Sequence, residues 1–275
     1  MPELPEVETT RRGIATFMPG RILRELVIHE PRLRWPVPAG LPARLQGQTV
    51  RACERRGKYL LIRFDGGTQI VHLGMSGSLR RVPMQAPLRK HDHVEWRFDD
   101  GRFLLHDPRR FGAVLWHPDT DGPLLAHPLL AGLGIEPFDP GFTPEWLHGQ
   151  LQGRRQAIKP LLLAGRIVVG VGNIYASEAL FQAGIDPRLS AGQISRPRCA
   201  RLHEAILSTL AQALEAGGST LRDYVDPQGA PGAYFSLHAA VYERDGQPCP
   251  RCATLIRRLV QGQRATYFCP HCQKR

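Results

Sequence analysis

The sequence predicts an α+β protein in three parts: an N-terminal helix with an antiparallel β-sandwich over residues 1–132, a helical domain over 133–240, and a small hairpin unit over 241–275. Three observations carry this reading. Between Arg21 and His117, short runs of alternating polarity are separated by turn residues, as in antiparallel strands packed in two layers. From Pro118 to Pro144 the chain is rich in proline and glycine, and beyond it the apolar residues adopt helical spacing. Four of the six cysteines fall in two Cys-x-x-Cys pairs near the C-terminal end. At 275 residues the chain is long enough for two domains, each with its own core.

The first helix is expected to start near Pro5, which suits a first helical position. Glu6 and Glu8 favour its electropositive end, and Val7, Ile14 and Phe17 recur at helical spacing. Ile22, Arg24, Leu26 and Ile28 share one face of a first strand. Further strands are predicted over 49–55, 58–64, 68–73, 78–82, 93–98, 102–106 and 113–116, with Asp65-Gly66-Gly67 and Asp99-Asp100-Gly101 as hairpin turns. After the linker, Thr143-Pro144-Glu145 reads as a cap followed by a proline at the first helical position. An apolar helical face runs over 157–163, and a helix from Asn173 to Ala183 ends at Gly184. Leu202, Ile206, Leu210 and Leu214 define a longer helix stopped by Gly217-Gly218.

Lysine and arginine number 36 against 25 aspartates and glutamates, a formal net charge of +11. That excess speaks for a polyanionic partner, because cations that neutralise phosphates release condensed counterions. An anionic membrane would be the other candidate. The sequence shows no apolar run of spanning length, no basic amphipathic anchor and no signal-peptide core, so a soluble, cytoplasmic protein is expected; a monomer is expected as well. Cys53 and Cys199 read as small buried apolar residues.

Chemistry concentrates at the start of the chain. Removal of Met1 would free the secondary amine of Pro2, whose pKa near ~8 leaves a usable unprotonated fraction at neutrality. Such an amine attacks an electrophilic sugar or carbonyl carbon to give an iminium, provided an acid or base stands beside it, and Glu3 does. The same residues also fit a plain helix start. At the other end, Cys249-Pro250-Arg251-Cys252 and Cys269-Pro270-His271-Cys272 have the spacing of a closed tetrahedral zinc site that staples a hairpin too small to fold on its own core. Arg257, Arg258 and Arg264 lie between the knuckles and no acidic residue follows Asp245, which makes the hairpin a nucleic-acid-facing finger.

Other motifs are weaker when taken alone. Val169-Gly170-Val171-Gly172-Asn173-Ile174-Tyr175 puts a glycine turn before a helix start, where backbone N–H groups approach a phosphate, although a plain tight turn has the same residues. Lys58 in Arg56-Gly57-Lys58-Tyr59 fits an exposed surface lysine. Met75 in His72-Leu73-Gly74-Met75-Ser76-Gly77 and Phe111 in Asp107-Pro108-Arg109-Arg110-Phe111-Gly112 fit core fillers. Loops flanked by glycine are poor places for core, whereas a duplex binder that extrudes a base needs wedges to fill the vacated stack.

Met1-Pro2-Glu3-Leu4-Pro5-Glu6-Val7-Glu8-Thr9 with Arg11-Arg12-Gly13 resembles the N-terminus of bacterial formamidopyrimidine-DNA glycosylases, and the segments above extend the resemblance over essentially the whole chain. It implies a helix-two-turn-helix in the helical domain, a zinc-ribbon hairpin, and one structural Zn2+ bound by Cys249, Cys252, Cys269 and Cys272, with no redox or organic cofactor. It implies a bifunctional DNA glycosylase and abasic-site lyase acting on double-stranded DNA that contains oxidised purines or abasic sites. Pro2 is then the nucleophile, Glu3 the proton-transfer group, and Lys58 and Arg264 the residues that hold the cleaved phosphodiester. Met75, Arg109 and Phe111 fill the void, His91 touches DNA, and Lys159 and Asn173 grip phosphates, with Arg154 adding charge. Recognition of 8-oxoguanine falls to the stretch from Gly217 to Tyr242, expected to be a mobile loop. Two other readings stay open: the endonuclease VIII branch, which also begins Met-Pro-Glu and takes oxidised pyrimidines, and a zinc-stabilised DNA-binding protein without chemistry.

Overall fold

In a computed structural model, residues 2–219 and 226–275 are described, so Met1 and the 220–225 part of the expected lesion-reading stretch lie outside the described residues. The chain forms two compact units, Met1–Ala131 with Ala216–Phe235, and Gly132–Glu215 with Ser236–Arg275. No helix among the described residues is long and apolar enough to cross a membrane.

The first unit opens with α1 (Leu4–Ala15), continues with β1 (Glu25–Ile28), the short α2 (Leu41–Leu45), β2 (Ala52–Arg56), β3 (Tyr59–Phe64), β4 (Gly67–His72), β5 (Ser78–Val82), β6 (Asp92–Phe98), β7 (Gly101–His106) and ends with β8 (Ala113–Pro118). The strands form two four-stranded antiparallel sheets in the orders β1-β6-β7-β5 and β2-β3-β4-β8. Both sheets and α1 contribute to one core in which Val7, Ile14, Leu60, Ile62, Val71, Val94, Trp96, Phe103 and Val114 are buried. Between the layers the Trp96 indole donates to Gln69 Oε1 at 2.8 Å, so the largest core side chain also satisfies its polar atom.

Each of the eight strands expected from alternation is present, with two local differences. Ile22 forms only an isolated bridge with Thr49, and the first strand begins at Glu25. The two hairpins close at Phe64↔Gly67 and Phe98↔Gly101, so the turns are Asp65-Gly66 and Asp99-Asp100. Gly67 and Gly101 are instead the first strand residues, both at φ +155°, a conformation side chains oppose. A Cβ on Gly67 would also lie 2.4 Å from the His117 carbonyl oxygen.

The second unit holds α3 (Pro144–Leu151), α4 (Ile158–Leu163), α5 (Asn173–Gln182), α6 (Arg196–Glu215) and the hairpin β9 (Arg257–Gln261) with β10 (Arg264–Phe268), while the short α7 (Tyr234–His238) spans the boundary. Thr143 caps α3, its hydroxyl accepting the Trp146 N–H at 3.1 Å. Gly184 at φ +68° follows α5, and Gly217 and Gly218 at φ +71° and +88° stop α6, all as their positions in sequence lead one to expect. The units divide differently from the expected segments. Ala216–Phe235 stays with the first because Arg81 N–H donates to Pro227 O at 2.9 Å and Ser219 N–H to Glu6 at 2.6 Å. The zinc hairpin joins the helices because β10 packs on α5.

Candidate active site and nucleic-acid interface

Pro2 is buried and leads directly into the helix. Glu3 is the N-cap of α1 in a reciprocal capping box: its side chain accepts from the Glu6 backbone, and Glu6 Oε2 accepts the Glu3 N–H at 2.7 Å. Both carboxylates are about 99% buried, at the end of the helix where the dipole favours negative charge. The second oxygen of Glu6 accepts the Ser219 N–H at 2.6 Å. Gly218 lets that strand approach, since a Cβ there would lie 2.8 Å from Glu6 Oε1. Glu6 thus ties Glu3 to Ser219, which lies 213 residues beyond Glu6 along the chain, a link that no local pattern could disclose. Farther along α1, Glu8 pairs with Arg11 at 2.8 Å, Arg12 at 3.0 Å and Arg55 at 3.1 Å. Burial works to raise the Glu8 carboxyl, but the guanidiniums prevail and hold it below the ordinary value.

Lys58 follows Gly57, at φ +56°, in the tight turn between β2 and β3. Burial first, and then the Lys58 and Arg34 cations, push His72 down to about 4. It is therefore neutral at physiological pH, and its Nδ1 accepts the Gly74 N–H at 2.9 Å. His72 was not singled out in the sequence, although it stands in the same motif as Met75.

Met75 is partly buried, Phe111 is 48% exposed and Arg109 is exposed. Their two loops abut: a Cβ on Gly74, at φ +64°, would lie 2.5 Å from the Gly112 nitrogen. His91 adopts φ +78°, and its ring packs edge-on against His93 and His106 with centroids 6.0 and 6.1 Å apart. Among the described residues, these loops bring Met75, Phe111, Arg109 and His91 to one end of the sandwich, because β5 and β6 begin beside the end of β7, with Ser78 and Asp92 both paired to His106.

In the second unit, Asn173 opens α5 after the turn at Gly170, φ +84°. Its Nδ2 donates to the Ala265 carbonyl at 3.0 Å and the Tyr242 hydroxyl at 3.3 Å. Lys159, expected to grip phosphate beside Asn173, lies on α4. It is fully buried, and its ammonium donates to the Ala265 carbonyl at 3.0 Å and Thr266 Oγ1 at 2.8 Å. Its physical task in this structure is to fix the strand that carries Arg264. That arginine is exposed on β10, just beyond the Gly262-Gln263 turn, whose φ values are +52° and +62°. Arg154 and Arg155 are exposed, as expected of cations near a polyanion.

Glu178, also missed, accepts the N–H groups of Ala240, Val241 and Tyr242 at 2.8, 3.0 and 2.8 Å. Burial raises its pKa against those bonds. The one carboxylate of α5, set between Ala176 and Ala179–Leu180 on a largely apolar helix, was the available signal.

The four sulfurs of Cys249, Cys252, Cys269 and Cys272 lie within 4.8 Å of one another. A tetrahedron with metal–sulfur bonds of about 2.3 Å has edges of about 3.8 Å. The Cys249–Cys272 and Cys252–Cys269 separations are 3.9 and 3.5 Å. Backbone N–H groups of Arg251 and Cys272 point at the Cys249 and Cys269 sulfurs at 3.4 Å each, the disposition that stabilises thiolates. The set fits one structural zinc ion.

Comparison with known proteins agrees part by part. Residues 1–114 match the formamidopyrimidine-DNA glycosylase N-terminal domain, 133–225 the helix-two-turn-helix domain of the same enzymes, and 246–275 the zinc finger found in FPG and IleRS. Formamidopyrimidine-DNA glycosylases of Bordetella pertussis and Burkholderia cenocepacia are 70% and 57% identical, each alignment covering 100% of both chains. A Lactococcus lactis Fpg mutant in complex with Fapy-dG-containing DNA superposes with a TM-score of 0.92 at 33% identity, covering 100% of both chains. The Lactococcus lactis protein with abasic-site DNA gives 0.91 at 34%, over 99% of this chain and 100% of that one. With all three segments matched in order and relatives aligned from end to end, the chain belongs to the formamidopyrimidine-DNA glycosylase family.

Proposed function

We propose that the protein is a bifunctional DNA glycosylase and abasic-site lyase that excises oxidised purines, including 8-oxoguanine and formamidopyrimidines, from double-stranded DNA in the bacterial cytoplasm. The observation that carries the proposal is the Pro2-Glu3 pair, built into the electropositive end of α1 by the Glu3–Glu6 capping box. Once Met1 is removed, the Pro2 nitrogen attacks C1′ of the damaged nucleotide and the base departs with a proton. Glu3 transfers protons as the sugar ring opens, leaving an iminium. The iminium acidifies C2′, so loss of that proton expels the 3′ phosphate and a further elimination expels the 5′ phosphate. Lys58 and Arg264 hold these departing groups. Met75, Arg109 and Phe111 fill the vacated stack, while His91, Asn173 and Arg154 contact the backbone. Lys159 grips phosphate beside Asn173, and it also holds the hairpin that carries Arg264. The three expected segments, 1–132, 133–240 and 241–275, become functional divisions: catalysis, phosphate grip and a zinc-stapled finger.

Borohydride trapping tests this. Incubation with 8-oxoguanine duplex and reductant should link the N-terminus covalently to DNA, and a tag that blocks the Pro2 amine should abolish both the adduct and strand cutting while sparing binding. Full cutting by the blocked protein overturns the assignment of the nucleophile. The Lactococcus lactis protein has also been solved with DNA containing an oxidised pyrimidine. Excision of 8-oxoguanine opposite cytosine should nonetheless exceed that of thymine glycol, and the reverse order would place the protein with the endonuclease VIII branch.

Arg264→Ala should weaken DNA binding and slow the eliminations by about 10- to 100-fold, the scale of a lost charge-assisted bidentate contact, with a smaller effect on base release. Arg264→Lys should restore the charge but not the fork. Base release and strand cleavage are followed separately on an 8-oxoguanine duplex, and cleavage also on a preformed abasic duplex. Poor base release with normal abasic cleavage would assign Arg264 to recognition instead.

A further inference from the structure

The two loops that carry the wedge residues are two of the connections between the sheets and lie at one end of the sandwich. Residues 73–77 lead from β4 in one sheet to β5 in the other, and residues 107–112 lead from β7 back to β8. Both close on a single carboxylate. Asp107 is completely buried; its Oδ1 accepts the Ser76 hydroxyl at 3.1 Å and its Oδ2 accepts the Gly112 N–H at 2.7 Å. Its backbone holds the third loop, because Asp107 N–H donates to the His91 carbonyl at 3.0 Å and His93 Nε2 lies 2.9 Å from the Asp107 carbonyl oxygen. The fit leaves no slack. A Cβ on Gly112 would lie 2.9 Å from both Asp107 Oδ2 and the His72 carbonyl, and one on Gly74 would lie 2.5 Å from the Gly112 nitrogen.

We propose that Asp107 is the positioning residue that makes Met75 and Phe111 one rigid two-pronged wedge and sets His91 beside it. The inference rests on the void-filling role given above to those residues. It explains why a carboxylate occupies the site. Two donors, one from each crossover, face two acceptor oxygens, whereas an asparagine would turn an N–H toward one of those donors. It also explains how an exposed aromatic ring on a loop keeps one direction, since a ring entering a base stack must be held before the duplex bends and not ordered by it. No reacting atom need touch Asp107.

Four variants test the inference: Asp107→Asn, Ser76→Ala, Phe111→Ala, and the double variant Ser76→Ala with Phe111→Ala. Each is assayed by single-turnover excision of 8-oxoguanine from duplex, by cleavage of a preformed abasic site in single-stranded DNA, and by thermal melting. Ser76→Ala, which removes one arm of the clamp, should slow duplex excision about fivefold, and Asp107→Asn by at least about tenfold. The deficit should shrink to within about twofold on single-stranded abasic DNA, where there is no stack to fill. The double variant should lose less than the product of the two single losses, because the clamp acts through the wedge.

Normal duplex excision by Ser76→Ala, with Phe111→Ala impaired, would overturn the clamp and leave the wedge reading standing. Normal excision by Phe111→Ala would overturn the wedge reading and the clamp with it. Equal losses on duplex and single strand, accompanied by a lowered melting temperature, would make Asp107 merely structural. Should Asp107→Asn fail to fold, Ser76→Ala decides alone.

Discussion

Glu3→Gln is expected to hold lesion-containing DNA about as well as the parent and to lose base excision by about 10²- to 10⁴-fold, the usual contribution of a positioned general acid or base. The capping box makes this a clean substitution. Glu3 serves α1 as an acceptor of the Glu6 backbone N–H, and the amide oxygen of glutamine accepts that bond equally well. The Glu3 N–H that donates to Glu6 at 2.7 Å belongs to the backbone and is untouched. Geometry survives and only proton transfer is removed. Single-turnover release of 8-oxoguanine, measured beside duplex affinity at fixed salt, separates the two. Turnover within about threefold of the parent would take the proton-transfer role from Glu3. The next group in line would be Glu6, which is equally buried but already bonded to both Glu3 and Ser219.

What the sequence disclosed and what it concealed divide along the range of the interactions. Strand alternation, the Thr143 cap and the glycine stops at 184 and 217–218 are decided within a few residues, and the structure has all of them. The zinc site was equally plain, because knuckle spacing encodes the geometry of the ligands. Nothing in Ala157-Ile158-Lys159-Pro160 reveals that the Lys159 side chain is buried. Its partners, Ala265 and Thr266, lie more than a hundred residues on. Separation along the chain likewise hid Glu6–Ser219 and the Glu178 clamp on 240–242. Helix α2 escaped because Leu41–Leu45 is too short to show a period. The glycines at 67 and 101 were assigned to turns because sequence does not tell a turn position from a strand residue with positive φ.

Withdrawal of zinc should have the largest structural effect. Metal-free protein, or Cys269→Ser, is expected to lose the β9–β10 hairpin while the β-sandwich unit stays folded. The apolar support of the hairpin is slight, with Phe181, Val241, Ile256 and Tyr267 buried beside the cysteines, whereas the first unit has the full sandwich core. Apparent zinc affinities of about 10–16 kcal/mol at neutral pH exceed what such a cluster supplies, so the metal's binding energy is that unit's folding energy. The loss should travel. Once β10 melts, the Ala265 carbonyl no longer receives Lys159 and Asn173, and Arg264 has no fixed strand to stand on. Acidification should act in the same direction as a chelator, because the ligands bind as thiolates and protons compete with the metal. Amide hydrogen exchange on the full chain, before and after chelation, reads the outcome directly. Protection should vanish over 257–268 and persist over the strands between 52 and 118, and DNA affinity should fall. A hairpin that keeps its protection without metal would show that its small core suffices, and the structural role assigned to zinc would fail.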